Sequence, residues 1–369
     1  MSCAKRQTLS PAFNGLNMEN SAESARYSTV YNYAKLFPNY TQISIGIFSD
    51  TVVEYYGVIR YKDTIYSIDN KDEVFEIGSI TKVFNGTILA KYVEEQKISL
   101  SSNISELLPV KINGDPAISI LQLANHSSGI ERNPPDIKSE WPTRPYPKNI
   151  YSDSMLLNYF SNNLKLKTAP GAKWSYSNIG SQLLGYLLCK IEGYDYETML
   201  QKEIFQKYGM KNTTTNKLKV INKLVNGLDK GGNPCNRWPW KTGIQCGGAC
   251  YSNVTDMIKF AMASCDTADP QFKLSQTVTF KIDDADSVFQ NSTAEVGLEW
   301  IILNHKSGEK WIWHNGANIG YYSHLLINPY KKCGVVMLSN IDSSNPDRRR
   351  TQEMIEELLV SASEQSVVP

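Results

Sequence analysis

The sequence predicts an α+β fold, in which one antiparallel sheet is flanked by a helix from each end of the chain and a mostly helical subdomain is inserted beside it. Two observations support this prediction. Runs rich in β-branched and aromatic residues lie near both ends, at residues 42–59 and 297–338, and residues 79–191 show helical spacing of apolar residues. Strands that flank a helical insertion can bury an apolar face by pairing in one layer, which leaves a cleft at the join.

The composition is that of a soluble globular chain of 369 residues, of which 41% are hydrophobic and 20% charged. Its 38 basic and 37 acidic residues leave a formal charge of +1, without the basic clusters that nucleic-acid binding requires. The basic triplet Arg348 to Arg350 precedes an amphipathic stretch, which indicates a solvated helix start. No apolar run approaches the roughly 20 residues that span a bilayer. We therefore expect a small-molecule or peptide substrate, no nucleic-acid partner and no membrane span.

The N-terminal part contains the first helix and the first hairpin. Residues 1–19 are polar and aperiodic, which predicts a flexible lead-in. Residues 21–37 have apolar positions near helical spacing, and Pro38 ends the predicted helix. Residues 42–48 and 52–59 are β-rich runs separated by a short polar turn, which predicts a hairpin.

The remaining elements are predicted from the helical spacing of apolar residues and from β-rich runs. Helices are predicted from Ser79 to about residue 93, and at residues 118–123, 154–160, 179–191 and 352–361. An antiparallel meander is predicted from strands at residues 297–303, 310–314, 321–327 and 334–338. The predicted domain covers residues 20–365, with its sheet part at about residues 20–78 and 290–365 and its helical part at about residues 79–289.

The strongest chemical signal is the run Phe75-Glu76-Ile77-Gly78-Ser79-Ile80-Thr81-Lys82. Ser79 opens a helical run, where backbone N–H groups point outward, and Lys82 falls on the same face at i+3. A serine hydroxyl is a poor nucleophile until a neighbour accepts its proton, and a lysine does so only in surroundings that favour the neutral amine. The pair predicts an activated nucleophile, although the pattern alone also occurs on ordinary surface helices.

Two further motifs add polar groups suited to acyl chemistry. Tyr176-Ser177-Asn178 lies just before a predicted helix, where a phenol can shuttle protons and an amide can bind a substrate amide. His314-Asn315-Gly316 is predicted to end a strand. Its histidine offers a donor or, when protonated, a charge to a substrate carboxylate, and its glycine allows close approach of substrate backbone.

These motifs, in this order, resemble those of the penicillin-recognising serine hydrolases: class C β-lactamases, D-alanyl-D-alanine carboxypeptidases, and related esterases and D-aminopeptidases. The resemblance covers about residues 25–362. It includes Leu123-Ala124-Asn125-His126-Ser127-Ser128-Gly129-Ile130, the Gly247-Gly248 segment that runs to Met257, and Gly297-Leu298-Glu299-Trp300. It implies a β-lactamase/transpeptidase-like fold, and it makes the predicted domain a single catalytic domain.

The resemblance implies a role for each motif residue. Ser79 would be the acylated nucleophile, Lys82 and Tyr176 the proton-transfer pair, and Asn178 a substrate-amide ligand. His314 and Gly316 would form the third substrate-binding motif. The oxyanion hole would consist of the backbone N–H groups of Ser79 and Ala317. His126 and Ser128 belong to a loop motif that we take to be structural.

One sequence is a decoy. Lys241-Thr242-Gly243 spells the third motif of β-lactamases, but it lies in a loop before the Gly247-Gly248 segment, whereas the family has that motif on a late strand of the meander. We therefore do not expect Lys241 to be catalytic. Trp238 and Trp240 in the same loop could wall the cleft, with hydrophobic packing as the favoured role.

The cysteines do not indicate a metal site. There are seven, and Cys235, Cys246 and Cys250 lie close in sequence without Cys-x-x-Cys spacing or nearby histidines. Either one local disulfide or free thiols would fit them. No metal and no cofactor are expected. We expect a periplasmic or other extracytoplasmic location with a signal peptide absent from this chain, and a cytoplasmic location is the alternative.

Histidine at the third motif, where class C β-lactamases have lysine, favours the peptidase and esterase branches of the resemblance. The predicted function is therefore acyl-bond hydrolysis through an acyl-enzyme, with a D-alanyl peptide as the favoured substrate. A carboxylesterase or a class C-like β-lactamase is the alternative within this class. A non-catalytic sensor of β-lactams or peptidoglycan fragments is the alternative from another class.

Overall fold

The computed structural model describes residues 9–16, 21–133, 152–235, 246–283 and 291–365. The strands in these ranges are β1 (Phe13–Asn14), β2 (Gln42–Ser49), β3 (Val52–Tyr61), β4 (Thr64–Ser67), β5 (Phe75–Glu76), β6 (Tyr251–Ser252), β7 (Phe280–Lys281), β8 (Ser292–Val296), β9 (Ile301–His305), β10 (Lys310–Asn318), β11 (Tyr321–Asn328) and β12 (Cys333–Ser339). The helices are α1 (Ser21–Ala34), α2 (Thr81–Glu94), α3 (Ile104–Leu107), α4 (Ile120–Ala124), α5 (Asp153–Asn158), α6 (Asn178–Glu192), α7 (Tyr196–Leu200), α8 (Val254–Ala263), α9 (Pro270–Ser275) and α10 (Arg350–Gln365).

The main sheet joins the two ends of the chain. Within the described ranges it has ten strands in the order β1-β4-β3-β2-β12-β11-β10-β9-β8-β7. Neighbouring strands are antiparallel, except that β1 and β4 are parallel. Through this parallel pairing, Phe13 and Asn14 of the predicted lead-in join the sheet. The junction is the pairing of β2 with β12, where Gly46 lies opposite Val336. The predicted α+β fold is confirmed.

Each face of the sheet is covered by helices. The terminal helices α1 and α10 pack together on one face, where Tyr33, Met354 and Leu358 belong to one apolar core. On the other face α8 packs against β2 and β12, and a second core runs from there through α2 and α6. Burial of apolar side chains in two layers on a central sheet is the arrangement that amphipathic helices and strands require.

The meander differs from the prediction in two places. The predicted strand 297–303 begins only at Ile301, because residues 297–300 form a turn in which the N–H of Gly297 donates to the carbonyl oxygen of Trp300 at 2.8 Å. The predicted strand 310–314 continues to Asn318, so the His-Asn-Gly motif lies inside β10. Apolar residues in a buried turn and in a buried strand look alike in sequence, since both face the core.

The cysteines at positions 189, 235, 246, 250, 265 and 333 are free thiols, so the alternative of a local disulfide is wrong. Cys3 lies outside the described ranges. Among the residues that the structure describes, no cluster of His, Cys, Asp and Glu could hold a metal ion. In the same residues, no helix has the length and apolar character needed to cross a bilayer.

Gly86→Ala is expected to destabilise the protein, although alanine is favoured over glycine in a helix by about 1 kcal/mol. A Cβ at residue 86 would lie 2.0 Å from the carbonyl oxygen of Leu298, in the turn before β9. Overpacking of this kind typically costs about 1–3 kcal/mol. Urea denaturation should therefore show a lower free energy of unfolding. A higher value would mean that the turn moves aside without cost.

Candidate active site

Ser79 lies in a single 3₁₀ turn, Gly78–Ile80, between β5 and α2. Gly78 has φ of 54°, a left-handed conformation that glycine adopts without steric cost. The turn brings the chain from the small β5–β6 pair directly into α2. Ser79 remains half-buried while both of its neighbours are buried, so its side chain faces the open side of the turn.

Lys82 lies in the first turn of α2 and is fully buried. Its Nζ donates a hydrogen bond to Oγ of Ser79 at 3.1 Å, and it also donates to the carbonyl oxygen of Gly247. The structure thus brings the lysine amine and the serine hydroxyl into direct contact, as the i+3 spacing predicted. An amine in this position can exchange a proton with the hydroxyl without moving.

The segment that carries Gly247 and Gly248 forms the wall opposite α2. Besides the bond from Lys82 to the Gly247 oxygen, the N–H of Cys250 donates to Oγ1 of Thr81 at 3.2 Å. This contact cannot be predicted from the sequence, because a backbone carbonyl has no residue signature. The glycine pair itself was the available signal, since it marks a place where backbone approaches another element closely.

Strand β10 crosses directly over the turn that carries Ser79. A Cβ on Gly316 would lie 1.8 Å from the carbonyl oxygen of Ile77, and a Cβ on Gly78 would lie 2.8 Å from the backbone nitrogen of Ala317. Gly316 is therefore required by packing within the protein, whereas the sequence analysis had assigned its small size to substrate approach. The contact places the segments of Ser79 and Ala317, the predicted oxyanion-hole residues, side by side.

Tyr176 lies between the other polar residues of the site. Its ring centroid is 5.2 Å from Nζ of Lys82 and 4.8 Å from Cζ of Arg132. The ring centroids of His126 and His314 lie 4.5 Å and 6.3 Å from it. The structure therefore brings the tyrosine together with Lys82 and His314, and it adds two residues, Arg132 and His126, that the sequence analysis had not placed in the site.

Asn178 is the first residue of α6, and Ser177 caps that helix through a hydrogen bond from the N–H of Gly180 at 3.0 Å. The Asn178 side chain is therefore not used as a cap. Its Nδ2 donates to Oδ1 of Asn133 at 2.8 Å, and its backbone N–H donates to the carbonyl oxygen of Arg132 at 2.9 Å. The amide thus faces the segment that also carries the guanidinium beside Tyr176.

His314 is buried in β10, and burial lowers its pKa to about 3. The imidazole is therefore neutral at ordinary pH. Its Nδ1 donates to the carbonyl oxygen of Asn315 at 2.7 Å, which leaves Nε2 as a hydrogen-bond acceptor. A neutral imidazole carries no charge for a substrate carboxylate, and the substrate-binding role of His314 stays a prediction.

The decoy Lys241-Thr242-Gly243, with Trp238 and Trp240, lies outside the described ranges. Ser128 is buried beside His126, in the loop that follows α4. That loop is fixed in part by its own side chains, since Oγ of Ser127 donates to Oδ1 of Asn125 at 2.6 Å.

The chain is similar in sequence to known proteins. The model of the family described as Beta-lactamase matches residues 50–359, a span that contains all three motifs. The chain is 25% identical over 286 residues to the D-alanyl-D-alanine-carboxypeptidase/endopeptidase AmpH of Escherichia coli K12, over 72% of this chain and 71% of that protein. It is 27% identical over 313 residues to Beta-lactamase-like protein 4 of Dictyostelium discoideum, over 77% of this chain and 54% of that one.

The fold is shared with solved structures. The β-lactamase/D-alanine carboxypeptidase from Pseudomonas syringae matches with a TM-score of 0.73 at 17% identity, over 95% of this chain and 100% of that one. The octameric penicillin-binding protein homologue from Pyrococcus abyssi matches with a TM-score of 0.70 at 23% identity, over 91% of this chain and 77% of that one. At such identities these matches show the fold.

The neutral state of His314 can be tested by NMR titration of the histidine rings. Because its pKa is lowered to about 3, its Cε1–H resonance should not shift between pH 8 and pH 5. A His314→Asn variant identifies the resonance by its disappearance. The unfolded protein binds this proton more readily than the folded one, so His314 also lowers stability as pH falls below about 6.5. A titration midpoint of the His314 Cε1–H resonance near pH 6.5 would contradict a neutral imidazole in the folded protein.

Proposed function

We propose, because the chain belongs to the β-lactamase family, that it is a serine hydrolase that forms an acyl-enzyme on Ser79. The observation that carries the proposal is the 3.1 Å contact between Oγ of Ser79 and Nζ of a fully buried Lys82. Buried lysines are rare, and this one is directed at a hydroxyl at the start of a helix.

The proposed reaction has two steps. Oγ of Ser79 attacks the substrate carbonyl carbon while its proton passes to Nζ of Lys82, and the oxygen that gains charge is held by the N–H groups of Ser79 and Ala317. The leaving group then takes a proton through Lys82 and Tyr176 as its bond to the carbonyl carbon breaks. In the second step water attacks the ester, loses a proton to the same groups, and releases the acid with Ser79 restored.

The carbonyl oxygen of Gly247 has a specific part in this scheme. It accepts a hydrogen bond from Nζ of Lys82, and it can do so from the ammonium and from the neutral amine. It therefore holds the lysine in one orientation in both protonation states. A fixed amine needs no rearrangement between accepting the serine proton and returning it to the leaving group.

The favoured substrate is a D-alanyl peptide, with a small ester as the second candidate. The relative from Escherichia coli that is named as a D-alanyl-D-alanine-carboxypeptidase supports this choice. A peptide of this kind ends in a carboxylate, and a neutral His314 offers it no charge. Arg132 is exposed, and its guanidinium lies 4.8 Å from the Tyr176 ring, so we assign the carboxylate to Arg132.

Three other functions remain alternatives to the peptidase. A carboxylesterase or a class C-like β-lactamase would use the same Ser79 and Lys82 and differ in the acyl donor. A non-catalytic sensor would be acylated once and would not turn over. The amine that contacts the nucleophile favours turnover, because it can also activate the water that attacks the acyl-enzyme.

Intact-mass spectrometry across D-alanyl peptides, β-lactams and p-nitrophenyl esters tests the proposed function. An acyl adduct on the parent protein is expected with at least one class, followed by its loss as product accumulates. Ser79→Ala should give no adduct, and Lys82→Ala should slow acylation by about 10²–10⁴-fold. Thermal unfolding controls for folding of both variants. Acylation of Ser79→Ala at the parental rate would contradict the assigned nucleophile, and an adduct that never turns over would favour the sensor.

Arg132→Gln tests the carboxylate assignment. A charge-assisted hydrogen bond contributes about 1.5–3 kcal/mol, so the ratio of kcat/KM for a D-alanyl peptide to that for a neutral ester should fall about tenfold or more. His314→Lys should raise this ratio of kcat/KM values, because the lysine adds a cation that can bind the substrate carboxylate. Lys35→Gln, at an exposed position just after α1, is the matched control, for which this ratio should not change. An unchanged ratio for Arg132→Gln would show that another group meets the carboxylate.

A further inference from the structure

Glu299 occupies a costly position in the turn between β8 and β9. Its side chain is fully buried, and its backbone has φ of 61°, a left-handed conformation that favours glycine. Burial of a carboxyl group is unfavourable unless its oxygens are well bonded. Within the described residues, neither oxygen accepts a hydrogen bond of good geometry. A residue that combines a buried carboxyl group with a left-handed backbone is a candidate for a function other than stability.

The carboxyl group lies close to the side chain of His126. Oε2 of Glu299 lies 3.1 Å from Nε2 of His126, and both side chains are buried. On the other side of the ring, Nδ1 of His126 accepts a hydrogen bond from the N–H of Ser177 at 3.3 Å. Because Nδ1 is an acceptor, the imidazole proton lies on Nε2, toward the carboxyl group. The contact between Oε2 and Nε2 does not have hydrogen-bond geometry, so Glu299 acts on the ring through its charge, which favours the tautomer with the proton on Nε2.

His126 in turn contacts the segment that carries Tyr176 at three points. The two rings lie 4.5 Å apart between centroids. The N–H of Ser177, one residue after the tyrosine, donates to Nδ1 of His126, and the N–H of Ser175, one residue before it, donates to the His126 carbonyl oxygen at 2.8 Å. The tyrosine is thus held on both sides of its own backbone by one histidine.

We propose that Glu299 and His126 are positioning residues for Tyr176, an inference that rests on the proton-transfer role proposed for that tyrosine. Glu299 fixes the ring of His126, and His126 fixes the backbone and the ring of Tyr176 at 5.2 Å from Nζ of Lys82. A partner of this kind, one step removed from the reacting atoms, controls rate through the geometry that it maintains. His126, which the sequence predicts to be structural, has a positioning role in this proposal.

The test compares Glu299→Gln and Glu299→Gly with the parent protein. Glutamine keeps the size of the side chain, and glycine adopts a φ of 61° without strain, so both variants are expected to fold. The acylation rate constant should fall about 10- to 100-fold in both, with KM for the same substrate nearly unchanged. Asp256→Asn is the matched control: this fully buried carboxyl lies in α8 and bonds to Asn212 and Thr213, and its loss should lower Tm and leave the acylation rate constant unchanged.

Hydrogen exchange detected by mass spectrometry gives a second readout that does not need activity. Peptides covering residues 174–178 should exchange faster in both Glu299 variants than in the parent, and at the parental rate in Asp256→Asn. Parental acylation and parental exchange in folded Glu299 variants would overturn the inference. If the parent is not acylated by any substrate, the proposed function fails, and the exchange data alone decide whether Glu299 and His126 hold Tyr176.

Discussion

The close packing of β10 against the turn that carries Ser79 is the constraint on which the site depends. Neither Gly316 nor Gly78 has a side chain, so the two backbones approach to distances that any Cβ would prevent. Oγ of Ser323 secures the contact by donating to the carbonyl oxygen of Ile77 at 2.9 Å. The result is a fixed pair of backbone segments whose N–H groups can face one substrate oxygen. Such dipoles need no reorganisation during reaction, which is why preorganised donors are effective.

The interleaved topology brings the two sides of this contact together. Ser79 belongs to the N-terminal part of the chain and β10 to the C-terminal part, and the pairing of β2 with β12 brings these parts into one sheet. The helical subdomain between them supplies Lys82 and the segment of Tyr176. The site therefore lies where the sheet and the helices meet, and each side contributes to the proposed chemistry: strand β10 offers the backbone N–H of Ala317, and the helical side offers Ser79 and the proton-transfer groups.

Much of the site could be predicted from the sequence, because its chemistry is concentrated in short motifs. The i+3 spacing placed Lys82 beside Ser79, and the residue types around Tyr176 and His314 suited acyl transfer. The backbone partner of Lys82 could not be predicted, since any residue has a carbonyl oxygen. The burial that keeps His314 neutral also depends on packing from distant segments, which no local pattern records.

The fold, like the site, could be predicted where local sequence patterns determine it. Period and composition located the hairpin at residues 42–59 and the helix after Ser79, because local patterns reflect which face is buried. They failed at residues 297–300, where a buried turn carries the same apolar residues as a strand. Glu299 was consequently read as part of a β run and not as a left-handed residue directed at His126.

The most direct test of the central claim is a crystal structure of the protein with an aryl boronic acid, which mimics the tetrahedral intermediate of acyl transfer. The account predicts boron bonded to Oγ of Ser79, with one boronate oxygen at about 2.7–3.1 Å from the backbone nitrogens of both Ser79 and Ala317. A boron atom on another side chain, or a boronate whose oxygens avoid both nitrogens, would contradict it.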